Sequence, residues 1–315
     1  MLNTPFSPWP SFTVEEAQAV SRVLLSNRVN YWTGTEGRDF EREFASWIGV
    51  KHAVALANGT VALDLALIAL GIGPNDEVIV TPRSFIASAS CVVSVGARPV
   101  FADVDLDTQN ITAETISAVL TPRTKAIVCV HHAGMPCDMD EIMALAQKKG
   151  LKVIEDCAQA HGAIYRGHKV GSIGHIGAWS FCQDKIMTTA GEGGMVTTND
   201  PDLWQRMWSY KDHGKSWSAV YERNHPPGFR WLHESFGTNW RMLEIQAAVG
   251  RIQLARMPEW HARRAAIAKR LTDCCRKLKA IRVPEIPSKL LRPIGCSRGL
   301  LLPVGIVFAD RAQAV

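Results

Sequence analysis

The sequence has little that would place it in a membrane, on a nucleic acid or in an oxidising compartment. Its best apolar stretch, Ala53 to Gly73, is interrupted by Asn58, Gly59 and Asp64, which are costly in lipid, so no transmembrane helix is expected. Charge of one sign is scarce: 35 basic and 30 acidic residues leave a net charge of +5, spread along the chain. A nucleic-acid binder clusters its basic residues on one face, so that class is not expected. The eight cysteines (91, 129, 137, 157, 182, 274, 275, 296) contain no CxxC pair, and no secretory leader is read before Met1-Leu2-Asn3-Thr4-Pro5. Reduced thiols and a cytoplasmic location are the expectation. No internal repeat or low-complexity tract is present. With 47% hydrophobic and 21% charged residues, a disordered chain is excluded, and 315 residues suffice for a sizeable core.

What is present is an alternation. From residue 52 to about 200, short β-branched apolar runs alternate with amphipathic stretches, the pattern of βαβ units and a mostly parallel sheet. Strands are expected at 52–57, 77–81, 99–104, 126–131, 152–157, 178–182 and 194–198. A helix over Asp138–Lys149 ends on Gly150 with Lys148 and Lys149 in its last turn, where cations suit the helix dipole. Before the sheet, Thr13-x-x-Glu16 reads as a capping box, and Phe40, Phe44, Trp47 and Ile48 share one helical face. A long helix is expected over Glu259–Lys279. The chain therefore divides into a large α/β domain over 1–258 and a smaller C-terminal part over 259–315.

Sheets of this kind bind ligands beyond the carboxyl ends of their strands, and several of those ends carry unusual residues. Ala55-Leu56-Ala57 runs into Asn58-Gly59-Thr60 at a helix start, where free N–H groups, a glycine and a hydroxyl suit a phosphate. Lys152–Ile154 ends in Glu155-Asp156, carboxylates expected to face the same crevice. Trp179-Ser180-Phe181-Cys182 leads to Lys185, followed by Gly191-Glu192-Gly193-Gly194. Taken singly, these are a capping turn, a capped segment and a surface lysine. Together they are the parts that hold pyridoxal 5'-phosphate: phosphate donors, a hydroxyl, a lysine to form an imine and a carboxylate to keep the pyridine nitrogen protonated.

The runs Asn58-Gly59-Thr60-Val61-Ala62-Leu63, Gly73-Pro74-Asn75-Asp76-Glu77-Val78-Ile79, Gly96-Ala97-Arg98-Pro99-Val100-Phe101, Glu155-Asp156-Cys157-Ala158-Gln159-Ala160-His161-Gly162, Ser180-Phe181 to Lys185, Gly191-Glu192-Gly193-Gly194 and Gly237-Thr238-Asn239-Trp240-Arg241-Met242 resemble, in order, the DegT/StrS family of sugar aminotransferases. The resemblance covers the chain to about residue 285. It implies the fold type I architecture of pyridoxal-phosphate transferases, with a mostly parallel central sheet in a large domain and a small C-terminal subdomain. It implies a homodimer with shared active sites, and transfer of an amino group from an amino acid, usually glutamate, to a keto group of a nucleotide-linked sugar. Carried over by position, Lys185 is the imine-forming lysine and moves the proton, and Asp156 is the partner of the pyridine nitrogen. Gln159 packs on the ring, Phe85 stacks on its other face, and Gly59, Thr60 and Ser180 contact the phosphate. Asn239 reaches the neighbouring subunit's phosphate, and Trp32 and Thr33 sit where relatives approach substrate. Two departures bear on the pocket's shape: Pro82-Arg83-Ser84-Phe85 is one residue short, and Ile186 stands where asparagine is common.

Lys185 argues against a dehydratase of the same fold, in which histidine replaces the lysine. A catalytically silent member with a regulatory or assembly role is the alternative, because the sequence after residue 284 departs from the family. There Lys289 to Pro303 shows neither strand alternation nor helical period, and after residue 281 only Glu285 and Asp310 are acidic against five basic residues. The expectation is an incomplete C-terminal subdomain, truncated or read in a shifted frame, with an apolar tail over Leu300–Phe308. No metal site is expected. Cys129, His131, His132 and Cys137 match no usual zinc spacing and are read as packing or satisfying backbone groups. Gly171-x-x-Gly174-x-x-Gly177 is read as turns, since it precedes a strand.

Overall fold

The computed structural model describes residues 9–278, 280–283 and 307–308. Two helices, α1 (Val14–Leu25) and α2 (Glu36–Ile48), precede β1 (His52–Leu56), α3 (Gly59–Ala69), β2 (Glu77–Val80), α4 (Ala87–Ser94), β3 (Arg98–Phe101), α5 (Ala113–Ser117) and β4 (Thr124–Val130). Then follow α6 (Met139–Lys149), β5 (Lys152–Asp156), the short β6 (Ile164–Tyr165) and β7 (His168–Lys169), β8 (Ile176–Ser180) and β9 (Gly194–Thr198). The chain continues with α7 (Pro201–Tyr210), α8 (Trp217–Tyr221), α9 (Glu244–Cys275), β10 (Ile281–Arg282) and β11 (Val307–Phe308).

Seven strands form one sheet in the order β1-β9-β8-β5-β4-β2-β3. The pairs β3/β2, β2/β4, β4/β5 and β5/β8 are parallel, whereas β9 runs antiparallel to both β8 and β1. Both faces are covered, so alternate side chains of each strand enter different cores. Ile79, Ile127 and Val153 pack with Phe40, Phe44 and Phe181 on one face, while Val78, Val80, Val128 and Ile154 pack with Leu63, Leu67 and Trp208 on the other. The α/β class and the mostly parallel sheet are thus as the alternation predicts.

The N-terminal helices also match: Glu16 accepts the Thr13 backbone N–H at 2.6 Å, and Phe40, Phe44 and Ile48 are buried on one side of α2. One helix departs from expectation. α9 begins at Glu244, not near 259, and continues through Pro258. Proline removes one intrahelical hydrogen bond, but Ala247, Ala248, Gln253, Leu254 and Met257 bury this helix before that point, and packing outweighs the missing bond. At the other end, β10 and β11 pair antiparallel, Ile281 opposite Phe308. The expected irregular stretch over Lys289–Pro303, Cys296 and most of the tail over Leu300–Phe308 lie outside the described residues. No helix among the described residues is long and apolar enough to cross a membrane.

Candidate active site

A cavity of about 730 Å³ opens at the carboxyl ends of β1, β4, β5 and β8, and its lining includes Gly59, Thr60, Phe85, Asp156, Gln159, Ser180 and Lys185. These seven residues, from four separate stretches of chain, are brought together as the strand-end argument expects. Asn239 is not among the lining residues. It lies exposed, in a backbone bridge with Asp212. Its segment is nonetheless held firmly: Trp240 O accepts the Ala57 N–H at 2.9 Å and Trp240 N donates to Lys211 O at 3.0 Å. Arg241 closes the arrangement with a 2.7 Å bond to Asp212. Trp32 and Thr33 also lie outside the lining; Trp32 packs edge-on to Trp208 at 6.0 Å, and Thr33 Oγ1 donates to Asn30 O.

One end of the cavity suits an anion. Asn58 caps α3 by accepting the Val61 N–H at 3.0 Å, which leaves the first N–H groups of the helix without intrahelical partners. A Cβ at Gly59 would sit 2.5 Å from Ser180 Cβ, and one at Gly194 would sit 2.2 Å from Asn58 O. Only glycine lets the helix start approach β8 and β9 this closely, and the approach sets the Ser180 and Thr60 hydroxyls beside the positive end of the helix dipole.

The other end carries Asp156. Its Oδ2 accepts from Ser88 Oγ at 2.8 Å and its Oδ1 from the Ala158 N–H at 3.1 Å. Burial raises its pKa, against the lowering effect of those two hydrogen bonds and of the Lys185 charge. Ser88 escapes a reading of motifs, being one of three serines in α4; its hydroxyl lies 2.6 Å from that of Ser84. Gln159 Oε1 accepts the Ala133 N–H at 2.8 Å, which fixes its amide at the cavity wall. Phe85 is 69% exposed, so it stands at the rim. Lys185 Nζ donates to Asp184 Oδ2 at 3.0 Å. Behind the wall, His161 packs on Trp179 and Phe181, and burial pushes its pKa down to about 3, so its ring is neutral.

Glu155 departs from the expectation that both carboxylates face one crevice. Successive strand residues point to opposite faces, so Glu155 turns away from the cavity and is fully buried. Its oxygens accept N–H groups of Gly171, Ile173 and Gly174 at 2.6 to 2.8 Å. His131 Nε2 lies 2.9 Å from Glu155 Oε2 while His131 Nδ1 accepts the Cys137 N–H at 3.1 Å, so the ring proton is on Nε2 and donates to the carboxylate. His131 Nδ1 thus satisfies the Cys137 N–H, and Cys137 Sγ donates to Val130 O at 3.4 Å. Gly171 and Gly174 shape the turn that Glu155 ties, whereas Gly177 is already within β8.

Burial alone would raise the Glu155 pKa, but the His131 bond and the N–H groups of Gly174 and Gly171 outweigh it and hold it below the usual value. A depressed carboxylate contributes stability above its unfolded pKa and loses it as pH falls through the folded value. Glu155→Gln is expected to cost about 2–4 kcal/mol at neutral pH, because an amide leaves buried N–H groups unpaired. Urea unfolding at a series of pH values checks this, with the deficit shrinking only on acidification below the ordinary glutamate range.

The profile of the DegT/DnrJ/EryC1/StrS aminotransferase family matches residues 10–292. Among curated relatives, the GDP-perosamine synthase of Caulobacter vibrioides is 48% identical over 239 residues, which is 75% of this chain and 62% of that protein. The chain therefore spans less than two thirds of that relative's length. The dTDP-3-amino-3,4,6-trideoxy-alpha-D-glucose transaminase of Streptomyces venezuelae is 40% identical over 270 residues, 86% of this chain and 68% of that one. Among solved structures, an aminotransferase from Psychrobacter cryohalolentis superimposes with a TM-score of 0.88 at 70% identity, covering 89% of this chain and 72% of that chain.

Proposed function

Because the chain belongs to the DegT/DnrJ/EryC1/StrS aminotransferase family, we propose that it moves an amino group from an amino acid, L-glutamate, to a keto carbon of a nucleotide-linked sugar, with pyridoxal 5'-phosphate as cofactor. The observation that carries this reading is the convergence of Lys185, Asp156 and the Gly59–Thr60–Ser180 cradle on one cavity. The donor set fits that cofactor at both ends: a dipole-backed cradle that only glycine permits for a dianionic phosphate, and a buried carboxylate for a protonated ring nitrogen.

The cofactor, when bound, supplies a sink for the electrons of the donor's α-carbon. The chain supplies the rest. Asp156 holds a proton on the ring nitrogen, and Ser88 and the Ala158 N–H keep its carboxylate aimed. Lys185 Nζ would hold the cofactor covalently and, set free as an amine once the donor's amino group takes its place, would carry the proton away from the donor's α-carbon and deliver it during transfer. Gly59, Thr60 and Ser180 anchor the phosphate, and Gln159 and Phe85 enclose the ring. The homologues named GDP-perosamine synthase and dTDP-aminosugar transaminase support a nucleotide-linked sugar as acceptor. Incubating the pure chain with glutamate and a panel of nucleotide-linked keto-sugars should give 2-oxoglutarate and an amino sugar by mass spectrometry. A chain that binds the cofactor yet exchanges no amino group with any amino acid would overturn the reading.

Asn239, exposed on an anchored segment outside its own cavity, fits service to a second subunit of a homodimer. Mixing Lys185→Ala chains with Asn239→Ala chains should then restore activity in the heterodimer to roughly a quarter to a half of wild type, one intact site per dimer being the ceiling. Heterodimers that form without regaining turnover would place Asn239 in its own chain's chemistry.

A further inference from the structure

Beside the cavity is a group of hydrogen-bond donors for which the described residues provide no acid. Arg83 follows the carboxyl end of β2, and its Nε donates to His132 Nε2 at 3.2 Å. A guanidinium only donates, so His132 Nε2 carries the lone pair and the ring proton sits on Nδ1. Burial and the Arg83 charge both lower the His132 pKa, consistent with a neutral ring. Nδ1–H is then a buried donor, and among the described residues it has no acceptor. Nor does the Arg83 guanidinium meet a carboxylate among them. The charge that acts on it is another cation, Arg282, which together with burial lowers the Arg83 pKa. Arg282 itself lies 3.4 Å from exposed Asp107.

This group adjoins the cavity on two sides. Arg83 immediately precedes Ser84 and Phe85, and His132 stands between Val130 and the Ala133 N–H that holds Gln159; Ser84, Phe85, Val130 and Gln159 all line the cavity. A half-buried guanidinium and a buried imidazole N–H, with a second guanidinium near and no acid between them among the described residues, is an arrangement completed by an oxyanion.

We propose that Arg83 and His132 form an oxyanion-binding station at the rim of the cavity, which holds a carboxylate or phosphate group of a substrate. Assigning that anion to a substrate rests on the aminotransferase reading; the station's affinity for anions does not. The chemistry is shared by two sources, the free carboxylate of an amino-acid donor and the diphosphate of a nucleotide-linked sugar, and two probes separate them.

Glutarate and inorganic pyrophosphate are titrated by calorimetry into the full chain and into Arg83→Gln, Arg83→Lys, His132→Gln and Arg28→Gln. At least one probe should bind the wild type about tenfold or more tightly than Arg83→Gln, the scale of one charge-assisted bidentate contact. Arg83→Lys should recover part of the loss, His132→Gln should weaken binding less, and Arg28→Gln, which removes an exposed charge elsewhere, should change nothing. Glutarate as the sensitive probe assigns the station to the donor carboxylate, and pyrophosphate assigns it to the diphosphate. Equal affinities in wild type and Arg83→Gln, or an equal loss in Arg28→Gln, overturn the proposal. Arg83-dependent binding by a chain that transfers no amino group would leave the station standing and the aminotransferase reading fallen; amino transfer with no Arg83 dependence would do the reverse.

Discussion

Lys185→Ala is expected to lower amino transfer by roughly 10⁴-fold or more, about 5.4 kcal/mol of transition-state stabilisation at 1.36 kcal/mol per decade. The magnitude follows from the two tasks placed on one atom. In the proposed function Nζ provides both the covalent link and the proton carrier, and among the described residues no other lysine lines the cavity. The neighbouring acid, Asp184, can accept a hydrogen bond from Nζ but cannot form an imine. The wild-type chain should absorb in the visible after incubation with pyridoxal phosphate, and borohydride should fix the cofactor to the peptide containing Lys185. The alanine variant should bind the cofactor without a covalent link and take no borohydride label. Labelling of another lysine would refute the assignment. The fold should be unaffected, since the Lys185 side chain is 19% exposed and its ion pair with Asp184 is at the surface, where such pairs contribute little.

Asp156→Asn should separate activity from stability in opposite directions. Amino transfer should fall by roughly 10²–10⁴-fold, because a neutral amide cannot hold the ring nitrogen protonated. Stability should stay level or rise. Burial raises the Asp156 pKa in the folded chain, so the folded state binds this proton more tightly than the unfolded one. Its favourable contribution is present below the unfolded value and is lost as pH rises through the folded value. At neutral pH the carboxylate therefore stands as a cost that function imposes, and an asparagine removes it while still accepting from Ser88. Urea midpoints and single-turnover rates with glutamate on the same two proteins test both halves. A large loss of stability with unchanged half-reaction rate would sink the role given to Asp156.

Much of the fold and of the site was legible because each signal was local. The β-branched runs, the Thr13-x-x-Glu16 box and the Gly150 stop report on their own few residues, and the structure places elements there. Seven of the eight cofactor-site residues read from sequence line one cavity for a related reason: strand ends in a parallel sheet share an edge whatever the details of packing. What escaped was set by distant partners. The long helix is expected to begin at Glu259, just after Pro258, yet α9 starts at Glu244 and passes through the proline because the helix packs on α1 and α2. Glu155 and Asp156 read as a pair, but strand alternation sends one to tie the Gly171–Gly174 turn and the other to the cavity. Ser88 has no motif at all, and its role appears only when α4 is laid across the end of β5.

The position of β9 carries a consequence for how the protein is made. β1 emerges early from the ribosome, but among the described strands it pairs with β9, and the register sets His52 against Thr198 and Leu56 against Gly194. Until β9 has been synthesised, the first strand lacks this ladder, and until β8 has been synthesised, Gly59 has no Ser180 to rest on. The strands from β2 to β5, close in sequence, have partners available well before that point, in keeping with the lower cost of closing short loops. On the proposed function, cofactor capture is expected late in biogenesis, and a nascent chain stalled before residue 194 should expose the apolar side chains of β1 and α3 to chaperones instead of burying them. In pulse-chase synthesis, acquisition of the bound chromophore would then report that the whole sheet has closed.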